Sequence, residues 1–274
     1  MTHTPVTAPI PCVEAHGVRF AYQRFGTTAG VPRRCMQPLR GGWIWGCHRH
    51  GRMRPVILCN NAGVARASDA APGTRETMGA YAADCVGALG LSQVDVRGCS
   101  MDGSVAQGCT LRYPQRVRRL LVVGTGPRAA EPTQAATVME PTMPPETSLA
   151  DVLSVFFAPS ARSQAAGRAF WERHYRRQHE VDPPTSPQTR ASQIAAFTAW
   201  RHGRGARWAQ RTTMAQPTLV VNGSQDVRMP TITALTLSQH IPTALRIVSL
   251  DTGHALPLQY PDLFLCHARR LLNG

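Results

Sequence analysis

Residues Gln93-Val94-Asp95-Val96-Arg97-Gly98-Cys99-Ser100-Met101-Asp102-Gly103 constrain this chain more than any other stretch. A short β-type run reaches a Gly-x-Ser turn and passes without a linker into a helix-compatible segment. A turn this tight pushes the serine hydroxyl out above a parallel sheet. The free N–H groups and partial positive charge of the helix N-terminus lie beneath it, where a developing negative charge is stabilised. Parallel strands need crossover connections, so the turn predicts strand–helix alternation around it.

That alternation is legible along the chain. Val18 to Tyr22 reads as an opening strand after the Gly17 turn, and Cys35 to Leu39 is a candidate strand. Pro55 to Cys59 is a short apolar run of the kind buried on both faces. Thr74 to Leu89 reads as a helix stopped by Gly90, and Met101 to Arg112 as one that ends before Pro114. Val117 to Val123 is the next strand. The pattern then breaks into a Pro-, Thr- and Ala-rich segment from Arg128 to Glu146. Helical candidates follow at Leu149 to Phe157, Arg162 to Arg177 and Thr189 to Arg201. Sheet character returns at Pro217 to Gly223, followed by a helix Thr231 to His240, a strand Leu245 to Leu250 and a helix Asp262 to Leu272. The expected fold class is α/β, a doubly wound, mostly parallel sheet with an inserted helical lid. Residues 1–127 and 214–274 would form the core and 128–213 the lid.

Composition removes several chemistries. The net charge is +14, and all 30 basic residues are arginine. Without lysine the chain cannot be a phosphate-loop NTPase, a Schiff-base enzyme or a Tyr-x-x-x-Lys dehydrogenase. The last exclusion matters because Asn60-Asn61-Ala62-Gly63 otherwise resembles a dehydrogenase turn. The 8 cysteines show no paired spacing and read as free thiols. Cys47-His48-Arg49-His50 lacks a second ligand pair, so it reads as a solvated basic loop and no metal site is expected. No apolar run is long enough to span a bilayer and no signal peptide is visible, so a cytoplasmic protein is expected. The arginines have no nucleic-acid motif or interleaved aromatics around them, and no nucleic-acid partner is expected. The oligomeric state is not legible.

Two residues just past late strands are candidate partners for Ser100: Asp226, after Val221 to Gln225, and His254, after Asp251-Thr252-Gly253. Positions beyond the carboxyl ends of parallel strands converge in one crevice. A neutral histidine there could take the serine proton, with a carboxylate behind it to fix the tautomer. The order Ser, Asp, His and the motifs around these residues resemble the α/β-hydrolase family, in particular lidded esterases, lactonases and cofactor-free haloperoxidases. Gly98-Cys99-Ser100-Met101 resembles the nucleophile elbow, Asn222 to Asp226 the acid turn and Asp251 to His254 the histidine turn. Asn61-Ala62-Gly63-Val64 with Ser68 resembles the loop after the preceding strand. The resemblance implies a nucleophile Ser100, a general base His254 and an orienting acid Asp226. It further implies oxyanion N–H groups from Met101 and from Arg40 or, alternatively, Leu39. It implies no cofactor, and a small ester or lactone as substrate. Trp43, Phe156 and Phe170 are candidate acyl-pocket residues, with lid and core packing as the alternative.

The chain also departs from the family pattern. Pro38 stands in the oxyanion loop with no N–H to give, Asn60 replaces an aspartate and Ala65 a glycine. Asp102 replaces the elbow glycine. A carboxylate there gains about 0.3–1 kcal/mol from the helix dipole. It would repel an oxyanion ~7 Å away by about 2 kcal/mol at an effective dielectric near 20. Two readings therefore stand: a serine hydrolase, or a catalytically impaired hydrolase-fold protein that binds a ligand or partner.

Overall fold

The computed structural model describes residues 3–4, 7–27, 33–37, 54–68, 70–128, 147–174, 182–202 and 212–274, with backbone alone at 33–37. Its described strands form one 8-stranded sheet. In chain order these are β1 (Cys12–Ala15), β2 (Val18–Phe25), β3 (Arg33–Gln37), β4 (Val56–Asn60), β5 (Val94–Cys99), β6 (Val117–Val123), β7 (Thr218–Gly223) and β8 (Ala244–Ser249). Across the sheet the order is β1-β2-β4-β3-β5-β6-β7-β8. The β1–β2 and β2–β4 pairs are antiparallel and all later pairs are parallel.

The opening strand expected at Val18 to Tyr22 is longer and is the second, not the first. β1 precedes it, joined by a two-residue hairpin in which His16 (φ 50°) and Gly17 (φ 78°) are both left-handed. Two such residues twist the chain to match the flanking strands. The strand expected at Cys35 to Leu39 is observed two residues earlier, wedged between β4 and β5 with Arg33 paired to both Val56 and Asp95.

Apolar alternation in the central strands explains why helices cover both faces. In β6, Leu120 and Val122 face one way and meet Met78, Ala82, Val105 and Leu237. Leu121 and Val123 face the other way and meet Leu256, Phe264, Ala268 and Leu272. The first face is covered by α1 (Arg75–Ala88), α2 (Met101–Arg112) and α6 (Thr231–Gln239). Thr74 caps α1, its hydroxyl accepting the Thr77 N–H at 3.1 Å. The second face is covered by α7 (Leu256–Gln259) and α8 (Pro261–Asn273). The short helix α7 is not among the helices expected from the sequence; Pro257 stands in its first turn, where the missing N–H costs no helix bond.

Between β6 and β7 lie α3 (Leu149–Phe156), α4 (Ala161–His174) and α5 (Pro187–His202). Ser148 and Asp151 close a capping box on α3. The hydroxyl and N–H of Ser148 hold the partly exposed Asp151 carboxyl below its usual range. The described cysteines are free thiols, with the Cys59 and Cys85 sulfurs 2.9 Å apart in the core. No helix among the described residues is long and apolar enough to cross a membrane.

One charged cluster sits at the opposite end of β5 from the serine. The carboxylate of Asp95, 0% exposed, accepts two hydrogen bonds from Arg118 at 2.8 and 2.7 Å, with Arg54 at 3.9 Å. That bonding raises the Arg118 pKa against the opposing effect of burial. Arg54, Arg118 and Arg119 also all donate to the Leu272 carbonyl at the end of α8. Cations at a helix C-terminus complement its partial negative charge.

Candidate active site

Ser100 sits between β5 and α2 with φ 53° and ψ −124°, a conformation few non-glycine residues adopt. Strain of this kind costs about 1–3 kcal/mol and persists only where the surroundings enforce it. Here the backbone N–H of Ser100 donates to the Val123 carbonyl at 2.8 Å, and Gly103 N–H donates back to the Ser100 carbonyl at 2.9 Å. Gly98 allows the sharp reversal: a Cβ there would lie 2.3 Å from the Asp102 carbonyl oxygen. Met101, whose N–H is the first of α2, follows directly. Cys99 beside the serine accepts a hydrogen bond from Arg97 at 3.4 Å.

Asp226 and His254 meet. His254 Nδ1 lies 2.8 Å from Asp226 Oδ2, with both residues buried. The other carboxylate oxygen accepts the backbone N–H groups of Arg228 (2.9 Å) and Met229 (2.8 Å), so the carboxylate cannot turn away. Because a carboxylate accepts and Nδ1 must donate, the assigned tautomer leaves Nε2 as the basic nitrogen. The acid and histidine turns are joined by two backbone bonds, Ser224 N–H to Ser249 and Gln225 N–H to Thr252, both at 2.9 Å.

Gly124 brings the histidine to the serine's neighbourhood. A Cβ at this position, where φ is +54°, would meet His254 Cε1 and Nδ1 at 2.9 Å and Asp226 Oδ2 at 3.3 Å. Its predecessor Val123 holds the Ser100 N–H, so serine turn and imidazole pack against one strand end. Gly124→Ala is expected to displace the imidazole and slow any reaction at Ser100 about 100-fold. Steady-state turnover against a circular dichroism control checks this, and an unchanged rate would show the imidazole is not used.

The insertion reaches the histidine turn through Phe156. Its half-buried ring lies 5.5 Å from the imidazole, and its carbonyl accepts the Ala255 N–H at 2.9 Å. Ser160 donates to Asp251 at 2.8 Å, Gln259 to the Asp251 carbonyl at 2.6 Å, and Ser163 to Gln259 at 2.8 Å. Phe170 is not beside the imidazole in the same way. It is 1% exposed and packs 6.2 Å from Phe157 inside the α3–α4 cluster. Leu39, Arg40 and Trp43, together with Pro38 and the Cys47 to His50 segment, lie outside the described residues. Among the described residues no group of three or more His, Cys, Asp or Glu could hold a metal ion.

The loop after β4 keeps its form despite its substitutions. Ala65, in place of glycine, still adopts φ 54°. Ser68 fastens the loop to β2, its hydroxyl accepting the Arg19 N–H at 2.8 Å. Asn61 donates to Asp102 at 3.4 Å. Sequence reasoning missed Arg75, which is 1% exposed although it opens α1; an arginine at a helix start carries no signal of burial.

A doubly wound sheet with a strained serine at one strand end and a buried Asp–His pair past later strands is the architecture of α/β hydrolases. A family profile described as the alpha/beta hydrolase fold matches residues 52–261, and the chain belongs to that family. It is similar to an α/β hydrolase fold protein from Chitinophaga pinensis, at 28% identity and a TM-score of 0.88, covering 99% of this chain and 100% of the other. It is 25% identical to the 2-hydroxymuconate semialdehyde hydrolase of Pseudomonas sp. (strain CF600) over 184 residues, 67% of this chain and 63% of that protein. The chain thus spans less than two thirds of that relative's length. The enol-lactonase from Burkholderia xenovorans LB400 shares the fold at a TM-score of 0.75 and 16% identity, covering 96% of this chain and 100% of its own.

Proposed function

We propose that this protein is a serine hydrolase that cleaves a small carboxylic ester or lactone through an acyl-enzyme. The observation that carries the reading is the 2.8 Å bond between buried Asp226 and His254, with the imidazole packed against Gly124 beside the strand end that holds Ser100. In this reading Ser100 Oγ attacks the substrate carbonyl carbon while His254 Nε2 takes its proton. The resulting oxyanion is stabilised by the Met101 N–H and by a second N–H from Arg40 or Leu39. Collapse breaks the ester C–O bond, and the proton returns from His254 to the departing alcohol oxygen. Water, deprotonated by the same nitrogen, then releases the acid and restores Ser100. No cofactor enters any step.

Residues 128–213 would act as the lid, with Phe156 lining the acyl side of the crevice and Trp43 as a further contact, while Phe170 serves the packing between α3 and α4. Relatives named as a semialdehyde hydrolase and an enol-lactonase support a small carbonyl substrate. The second reading, a hydrolase-fold protein that binds without turning over, is favoured by one observation: Asp102 is 0% exposed at the second position of the elbow helix.

Labelling by a fluorophosphonate probe tests both. The expected result is stoichiometric labelling of the wild type and none of Ser100→Ala. Absence of labelling in the folded wild type would sink the hydrolase reading, and strong labelling of Asp102→Gly alone would establish the second.

A further inference from the structure

Two thiols that the hydrolase reading does not use are brought together in the core. We propose that Cys59 and Cys85 form a redox modification site, at which hydrogen peroxide converts the pair to an intramolecular disulfide that staples α1 to β4. Neither the proposal nor its test depends on the chemistry at Ser100.

The pairing follows from how α1 lies on the sheet. Tyr22 stands opposite Cys59 in the β2–β4 pair, so Phe20, two residues away along β2, shares the face of Cys59. On α1, Tyr81 and Cys85 are four residues apart and also share a face. The two faces meet at two points. The Phe20 and Tyr81 rings pack edge-on with centroids 5.9 Å apart, and the Cys59 and Cys85 sulfurs lie 2.9 Å apart. From its other side α1 is fixed by α2, since a Cβ on Gly79 would lie 2.9 Å from the Cys109 nitrogen. A disulfide bond is about 2.05 Å long, so the sulfurs have about 0.9 Å left to travel, a distance that side-chain rotation covers.

Both thiols are 0% exposed, so the oxidant must be small and uncharged. Their cover is thin. Val13 and Ala15 of the four-residue edge strand β1, with Tyr81 and Leu89, are only partly buried around the cluster. Segments with few buried contacts open locally at low cost, which admits peroxide. One sulfur, as thiolate, attacks a peroxide oxygen; an S–O bond forms, the O–O bond breaks, and the departing hydroxide takes up the thiol proton as water. The second sulfur then attacks the sulfenic sulfur. The S–S bond forms, the S–O bond breaks, and a second water leaves with the second thiol proton. Two electrons pass from the sulfur pair to the peroxide. The product closes residues 59–85, which hold the loop after β4 and most of α1, into a ring that restricts the unfolded chain.

The test treats the reduced full chain with hydrogen peroxide, removes the excess, then denatures, alkylates and maps it by mass spectrometry. The expected result is a chain lighter by two hydrogens at this pair, with one cross-linked peptide joining Cys59 to Cys85. The thermal midpoint should rise by at least about 5 °C and fall back after reduction. Cys59→Ala should abolish both changes, and Cys85→Ala carries the same control should the first variant fail to fold. Mapping of the wild type decides the matter without either. Alkylation of both Cys59 and Cys85 after peroxide would overturn the proposal, as would linkage of either to a different cysteine or oxygen addition without a cross-link. A mapped bond that leaves the midpoint unchanged would overturn the stapling role.

Discussion

Asp226→Asn is expected to lower turnover about 10,000-fold while leaving the fold intact. The reason is the fixed direction of each bond. Oδ1 of Asp226 accepts two backbone N–H groups, so the amide oxygen of asparagine must take that place. Its NH2 then faces His254 Nδ1, which can no longer donate and must accept. The imidazole proton moves to Nε2, and the nitrogen that should take the serine proton already carries one. Purified enzyme assayed on short-chain esters and lactones checks this, with the thermal midpoint as a folding control. Turnover within tenfold of wild type would show that the Asp–His pair is structural and that another base serves Ser100.

The largest expected loss of stability lies at the other end of the same strand. Asp95→Ala should destabilise the protein by about 3–5 kcal/mol, the range for breaking a buried ion pair. Arg118 is 26% exposed, so solvent relieves part of its lost pairing and the lower end of the range is expected. Three guanidiniums would remain around the Leu272 carbonyl with no ion-pair partner for the cluster among the described residues. Denaturant titration of Asp95→Ala measures the loss. A change under 0.5 kcal/mol, which is typical of surface positions, would mean the cluster is held by α8 packing alone.

The sheet centre was the legible part of this chain. Val117–Val123 and Met101–Arg112 are observed with the bounds their sequence predicts, because the doubly buried stretch Leu120 to Val123 is an unbroken apolar run and Pro114 ends the helix. Legibility fails where burial is one-sided or the signal lies in packing. β1 is four residues of alternating, half-exposed character beside a proline, too short for a period to show. The elbow, acid and histidine turns could be read because glycines and short polar residues mark the strand ends. Arg75 could not, since nothing local distinguishes it from a solvated arginine. The charge of Asp102 was visible as an anomaly, whereas its complete burial emerges only in the packed fold.

The hydrogen bonds from the α3–α4 segment to the histidine turn divide the insertion into two parts of unequal exchangeability. Phe156, Ser160 and Ser163 fasten the first part to the strand end that presents His254, so any graft there disturbs the base. The helix α5 is held by its Gln193 backbone carbonyl on Arg75, by the Thr189 hydroxyl on the Gly63 carbonyl at 3.0 Å and by Ala196 packed into the main core cluster. A backbone carbonyl survives any change of side chain. The side chains are a different matter: Gln193, Ala196 and Trp200 are buried, Ala196 in the main core cluster, so within 190–202 only outward positions such as Ala191, Ala195 and Ala199 can be exchanged without repacking.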